Sequence, residues 1–318
     1  MKKPNARSAK QTGPSLRKKG YFTKDQLPFF LMILLPLAFF IFFKYLPMTG
    51  VSLAFQDYKT GQPFLGESTK WVGFKWFKRL LTNPYFPRYL KNTLALSLLS
   101  LFISFPVSIA FALMINEIQN PRLKKFTSNV SLLPHFISTA IIVGLLYNLF
   151  SIDNGLVNNI IEALGGEKID FLQGPKWFRT LYTGSGIWQQ TGFNAIVFTA
   201  AIAGIDPTLY EAAALDGSNR WKNIFRITIP CILPTIITMF LLKTGSLLSS
   251  NTDKIILMYN PANYEVSDTL GTYAYRAGLD ELKMSLSTAI SLFDSVCNII
   301  ILTMCNKVAK KVSETSLW

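Results

Sequence analysis

One histidine, three cysteines and a few charged residues inside apolar runs are all that this chain offers for covalent or metal chemistry. His135 has no second histidine with which to build a His-based metal site, and no partners for a Ser/His/Asp triad stand out. Cys231, Cys297 and Cys305 lie in or beside apolar runs and form no CxxC pair. That argues against a zinc site or a disulfide framework. No GxxxxGK[ST] loop is present to cradle a nucleotide's phosphates. Metal-dependent, triad and nucleotide-hydrolysing chemistry therefore lack their residues, and no cofactor is expected in this chain.

The remaining chemistry is non-covalent recognition. Polar groups inside apolar helices are costly, so each calls for a function. Trp188, Gln190 and Asn194 interrupt one such run, and Tyr147 and Asn148 another. At i and i+4, Gln190 and Asn194 share a helix face. Two readings stay open: these groups line a path for a polar solute, or they bond helix to helix. Lys243 and Asp294 lie within two further apolar runs. They are expected to pair with each other or to meet a second subunit. His135, beside Pro134, reads as structural.

The elements that must position these residues are membrane spans. The chain has 318 residues, 50% hydrophobic and only 16% charged, whereas soluble domains carry about 25% charge. A net charge of +14 would suggest nucleic acid in a soluble protein. Here the basic residues flank apolar runs, so a membrane is the expected partner and nucleic acid is not. A spanning helix needs about 20 apolar residues. Six runs meet this: 27–47, 93–116, 126–150, 184–205, 230–250 and 285–305. The first follows a basic tail, 1–26, but has no A-x-A cleavage pattern and reads as a retained anchor. With that tail inside, the inner segments hold 17 Lys/Arg in 72 residues and the outer ones 13 in 112. The density contrast follows the positive-inside rule and sets both ends, including the tail 306–318, in the cytoplasm. The expected fold is all-α: a single membrane domain over 27–305 with a cytoplasmic loop at 206–229. The tail 1–26 could attract anionic lipid or serve only as a topology signal.

That loop contains TLYEAAALDGSNRW. Asp206-Pro207 opens a helix, and Thr208 with Glu211 matches a T-x-x-E capping box. Leu209, Ala212, Ala213 and Leu215 give it a small-surfaced apolar face. Asp216-Gly217 stops it, with Gly free to adopt positive φ. Ser218 can cap a second helix, marked by Trp221 and Phe225 at i, i+4. This helix–turn–helix has no core of its own. It either packs on the chain's own spans or docks into a partner.

EAAALDGSNRWKNIFRITIP resembles the EAA loop of permease subunits of bacterial binding-protein-dependent ABC importers. Ser218 stands where Ala is common and Ile229 where Leu is common. The stretches WVGFKWFKRLLTNPYFPRYLKNTL, LLPHFISTAIIVGLLYNLF, DTLGTYAYRAGL and ETSLW are similar to the polysaccharide or lipoprotein importer permeases, relatives of the maltose-type membrane subunits. The resemblance implies a type I importer fold with six spans. It implies a second homologous permease, two ATPase subunits that bind ATP and Mg, and an extracytoplasmic solute-binding protein. It implies that the loop, through Glu211, Ala212, Ala213, Leu215, Asp216, Gly217 and Trp221, docks in the ATPase. On this reading the solute is a carbohydrate, and Tyr147, Asn148, Trp188, Gln190 and Asn194 line its path by hydrogen bonding and stacking.

The outer segments 48–92, with Trp71, Trp76, Tyr85 and Phe86, and 251–284 are expected in part to meet the binding protein. An ion-coupled secondary transporter is the alternative. It would need buried acids, and only Asp294 is central. A membrane enzyme would need paired carboxylates, and Asp153 and Asp170 are isolated.

Overall fold

The computed structural model describes residues 27–59, 61, 70–249, 251–313 and 316–317. The basic tail 1–26, Ser250 and most of ETSLW lie outside the described residues. Apart from one isolated bridge, Gln56 with Trp71, the regular structure among them is helical.

The chain divides into two units, 1–50 and 51–318. The described part of the first unit belongs to helix α1, Leu27–Phe55. Within 27–49 its side chains are almost all exposed, Phe and Leu included. An apolar surface on every side is the signature of a helix solvated by lipid or by another protein.

The second unit contains α2 (Lys75–Leu81), α3 (Phe86–Asn116), α4 (Pro121–Phe136), α5 (Thr139–Phe150) and α6 (Leu156–Ala163). There follow α7 (Pro175–Ala203), α8 (Pro207–Leu215), α9 (Arg220–Thr244), α10 (Thr252–Met258), α11 (Tyr264–Ser267), α12 (Leu270–Tyr275) and α13 (Met284–Ser313). Helices α1, α3, α9 and α13 are each long and apolar enough to cross a membrane. Two bent pairs, α4 with α5 and α7 with α8, bring the candidates to as many as six among the described residues.

Prolines set local departures from α geometry. The π-helical turns Ile41–Tyr45, Ser100–Ser104 and Ile224–Thr228 each end two residues before a proline: Pro47, Pro106 and Pro230. A proline has no N–H for the carbonyl four residues back, and its ring crowds that carbonyl. The turn widens and i→i+5 bonds replace the lost one, as from Leu46 N–H to Ile41 O and Ile229 N–H to Ile224 O.

The run 126–150 is not one straight helix. It breaks at Ile137-Ser138, and α4 and α5 meet at 97°. Pro134 tightens the end of α4 into a 3₁₀ turn, Ile137 is extended, and Ser138 caps α5 by accepting from Ile141 N–H. Gln189 of α7 donates to the freed Ile137 carbonyl at 3.0 Å. Such a partner is what permits irregular backbone at membrane depth.

Three cores hold the second unit together. Ala112, Ala195, Phe198, Ile202 and Ile232 join α3, α7 and α9. Leu96, Val143, Phe178, Leu181, Ile255 and Met258 join α3, α5, α7 and α10. Trp76, Leu80, Tyr89, Leu270, Leu286 and Ile290 join α2, α3, α12 and α13. Gly192 of α7 faces the backbone of α4: a methyl group there would overlap the Ser131 carbonyl. Of Trp71, Trp76, Tyr85 and Phe86, Trp76 belongs to a core, donating its indole N–H to Gln56 O at 2.8 Å. Trp71 and Tyr85 are exposed, and Phe86 is half-buried.

A polar network joins α3 to the segment 263–276. Buried Asp268 accepts two bonds from Arg276 at 2.8 Å each and one from Thr272 Oγ1 at 2.6 Å. Arg88 stands 3.7 Å from the same carboxylate. Asn92 donates to the carbonyls of Glu265 and Asp268 and accepts from Arg179. Tyr89 stacks on Tyr273 at 4.8 Å.

Candidate functional site

A cavity of about 230 Å³ opens between α3, α7, the end of α9 and α10. Ser97, Ser100 and Ser104 of α3 line it, so the wide turn at Ser100–Ser104 forms part of its wall. From α7 come Tyr182, Thr183, Gln189, Gln190 and Asn194; from the far side come Lys243, Ser246, Ser249, Asn251 and Lys254.

The polar side chains on this wall are held in several ways. Gln190 Oε1 lies 3.0 Å from His135 Nδ1, a bond in which Nδ1–H donates. The His135 ring stacks flat on Phe193 at 3.9 Å. His135 thus orients a wall residue from behind. Asn251 caps α10 by accepting from Lys254 N–H, and its own N–H donates to the Tyr182 hydroxyl at 3.3 Å. Lys254 Nζ donates to Tyr182 O at 2.9 Å and lies 5.0 Å from the centre of the Tyr182 ring. Burial pushes the Lys254 ammonium down to about 8. At neutral pH it still keeps its proton.

Of the solute-path candidates, the structure brings Gln190 and Asn194 together on this wall. Trp188 is exposed and off it, as α7's helical period dictates. Tyr147 lies beside a separate small crevice with Phe171, Phe178 and Met258. Asn148 is exposed and borders neither. The expected Lys243–Asp294 pair is not formed. Lys243 lines the cavity, while Asp294 Oδ1 is buried with no hydrogen-bond partner among the described residues. Sequence reasoning did not assign Lys254 or Tyr182 to the cavity. The one signal for Lys254 is its place at the head of an apolar stretch, KIILM.

The second candidate region is the helix pair after α7. The N-cap of α8 is Asp206, not Thr208: the Asp206 carboxylate accepts from Thr208 N–H at 2.9 Å. This bond holds the Asp206 pKa below the usual carboxylate value. Pro207 takes the first helical position, which leaves Thr208 inside the helix and Glu211 with no capping partner. At the far end Gly217 N–H bonds to Ala214 O and Ser218 N–H to Ala213 O. That is a Schellman closure, and Gly217 adopts the left-handed φ of 69° it needs. Asn219, not Ser218, caps α9 by accepting from Lys222 N–H. Ser218 Oγ instead donates to Asn223 Oδ1 at 2.6 Å. Tyr210 and Thr228 share a hydroxyl bond at 2.9 Å that ties α8 to α9.

Glu211, Ala212, Asp216 and Gly217 are exposed, and Ala213 is half-buried. Leu215 is 91% exposed, and Trp221 and Phe225 are 70% and 63% exposed, their rings 6.5 Å apart. Among the described residues, nothing covers most of the surface of these apolar groups.

Residues 104–314 match the family of binding-protein-dependent transport system inner membrane components, and the chain belongs to that family. It is 43% identical over 290 residues to the polygalacturonan/rhamnogalacturonan transport system permease protein YteP of Bacillus subtilis (strain 168), covering 91% of this chain and 89% of the relative. Protein LplB of the same organism is 40% identical over 290 residues, covering 91% and 90%. Among solved structures, a chain of a bacterial alginate ABC transporter, in complex with an alginate pentasaccharide-bound periplasmic protein, superposes with a TM-score of 0.84 at 38% identity. That match covers 92% of this chain and 98% of the other. The protein is a multi-pass cell-membrane permease component of a binding-protein-dependent transport system, with the type I ABC permease fold.

Proposed function

We propose that this chain forms half of the translocation pathway of an ATP-driven oligosaccharide importer. The other half is a second homologous permease. Six spans place both termini and the α8–α9 turn in the cytoplasm, where two ATPase subunits bind ATP and Mg. An extracytoplasmic solute-binding protein delivers the sugar, a fragment of a polysaccharide. Two relatives are named for polymers of that kind, polygalacturonan/rhamnogalacturonan and alginate.

One observation carries the coupling reading. Helix α8 is rigidly closed at both ends, by Asp206 and by the Gly217 turn, yet Leu215, Trp221 and Phe225 beside it are uncovered. Burying each such side chain in a partner contributes about 1.5–3 kcal/mol. Ala212 and Ala213 let the partner approach the helix backbone, and Glu211 and Asp216 are exposed at its surface. The Tyr210–Thr228 bond passes displacement of α8 to α9, whose far end reaches the cavity at Lys243. ATP closing the ATPase pair thus biases a two-state rigid-body switch between inward- and outward-facing pathways.

The test is a pull-down from gently solubilised membranes, comparing wild type with Glu211→Ala and Gly217→Pro. Recovery of an ATPase, a second permease and a solute-binding protein, with the ATPase weakened in the variants, is the expected result. A chain recovered alone, with both variants still transporting normally, would overturn the coupling role.

A further inference from the structure

Among the described residues, the cavity wall carries two lysines and no acid. Lys243 comes from α9 and Lys254 from α10; the rest of the lining is hydroxyl, amide, glycyl, aromatic and leucyl. The ion pairs among the described residues form on Asp57, Asp268, Glu162 and Glu281, and neither lysine joins one. Lys254 is only 2% exposed. One of its N–H groups is spent on the Tyr182 carbonyl and its ammonium lies over the Tyr182 ring. Among the described residues its charge is otherwise uncompensated. A buried ammonium without a counter-charge is costly, and the cost is relieved by an anion arriving from outside the chain.

Two more atoms point to a ligand. Ser97 Oγ and Thr183 Oγ1 sit on residues of the same wall, buried, with no hydrogen-bond partner among the described residues. Buried hydroxyls in native structures are usually satisfied, so each exception calls for a partner. Beside them Asn194 and Gln190 present amides. Hydroxyl and amide partners suit a polyhydroxylated solute; the two ammonium groups suit a carboxylate on it.

We propose that this cavity is a specificity site for an anionic sugar unit, with Lys243 and Lys254 reading the carboxylate of a uronate during passage. The inference rests on the importer reading above. Lysine offers a compact point charge on a flexible stem, whereas arginine imposes a planar fork. A lysine therefore holds a carboxylate without fixing its plane, which suits a solute that must bind well enough to enter and loosely enough to leave.

The experiment uses the assembled importer in liposomes with its own binding protein. ATP-driven uptake is compared for trigalacturonate and for its fully methyl-esterified, neutral form. Wild type is set against Lys243→Met, Lys254→Met and the double variant. The binding protein is the same throughout, so its own preference cancels from the comparison of acid-over-ester ratios. We expect the ratio to fall about tenfold per lysine, the value of one hydrogen bond to a charged group. Lys243→Arg should keep most of the ratio. Should Lys254→Met fail to assemble, the Lys243 pair of variants carries the test, because that side chain makes no hydrogen bond or ion pair among the described residues. An unchanged ratio in Lys243→Met and in every assembling variant overturns the inference. So does wild-type uptake of the ester alone, which leaves the importer reading standing. The importer reading fails separately, through absence of an ATPase in the pull-down.

Discussion

Asp268 shows what one buried side chain contributes to this permease. Its carboxylate, 1% exposed, gathers Arg276, Thr272 and Arg88, and so ties residues 263–276 to the start of α3. Removing one partner of such a buried charged pair costs about 3–5 kcal/mol, because the other charge is stranded. Asp268→Asn should lower the thermal unfolding midpoint of the purified protein in detergent by several degrees. A midpoint within a degree of wild type would mean that the network is solvated and contributes little. Gly217 acts at the same scale but on α8 alone. Placing a Cβ in the left-handed region costs about 1–2 kcal/mol, so Gly217→Ala should loosen the Schellman turn. Faster amide exchange at Gly217 and Ser218, whose N–H groups close that turn, with an unchanged global unfolding midpoint, is the expected pattern.

Helices in this chain are shaped by residues that interrupt them. Pro106 leaves the Phe102 carbonyl without its α-helical donor, and the wide turn at Ser100–Ser104 follows. Pro106→Ala restores that N–H, worth about 1 kcal/mol net. The turn should relax toward α geometry and carry Ser100 and Ser104 off the cavity wall. Reduced uptake at normal membrane abundance, with a straightened α3 in the variant's structure, is the result to look for. Gly192 does the opposite job, keeping α7 bare where α4 crosses it. Gly192→Val forces the two helices apart. A cost of about 1–3 kcal/mol, the usual range for overpacking, is expected as a lowered unfolding midpoint.

At the scale of the whole molecule, the exposed apolar groups of the α8–α9 turn, which lie outside the long apolar runs, are where the proposed ATPase would dock. On water-facing surfaces, apolar patches larger than a few hundred Å² are rare on soluble proteins that act alone. On a cysteine-free background, Trp221→Cys and Phe225→Cys should react with a membrane-impermeant maleimide in inside-out vesicles holding this chain alone. Co-expression with the ATPase should protect both positions. Labelling from the opposite face would reverse the proposed orientation, and labelling undiminished by the ATPase would remove the docking surface.

The apolar helices and the turn between α8 and α9 were legible without coordinates, because they depend on local properties. Apolar runs and the EAAALDG turn are contiguous in the chain, and their physics is read over a few residues. Gly217's positive φ follows from the Asp-Gly stop alone. Near-neighbour competition already blurred the caps: Asp206 and Asn219 cap in place of Thr208 and Ser218 because each sits immediately before the first helical residue. What only the tertiary structure decided is which faces meet. Gln190 and Asn194 share a cavity with Lys243 and Lys254, while Trp188, Tyr147 and Asn148 do not, since helical period fixes the relative faces of a helix but not its rotation against neighbours. The same holds for the break at Ile137, bridged by Gln189 from 52 positions away, and for Asn92 with Asp268 across 176. Those partners are set by packing between distant segments, and no local pattern encodes them.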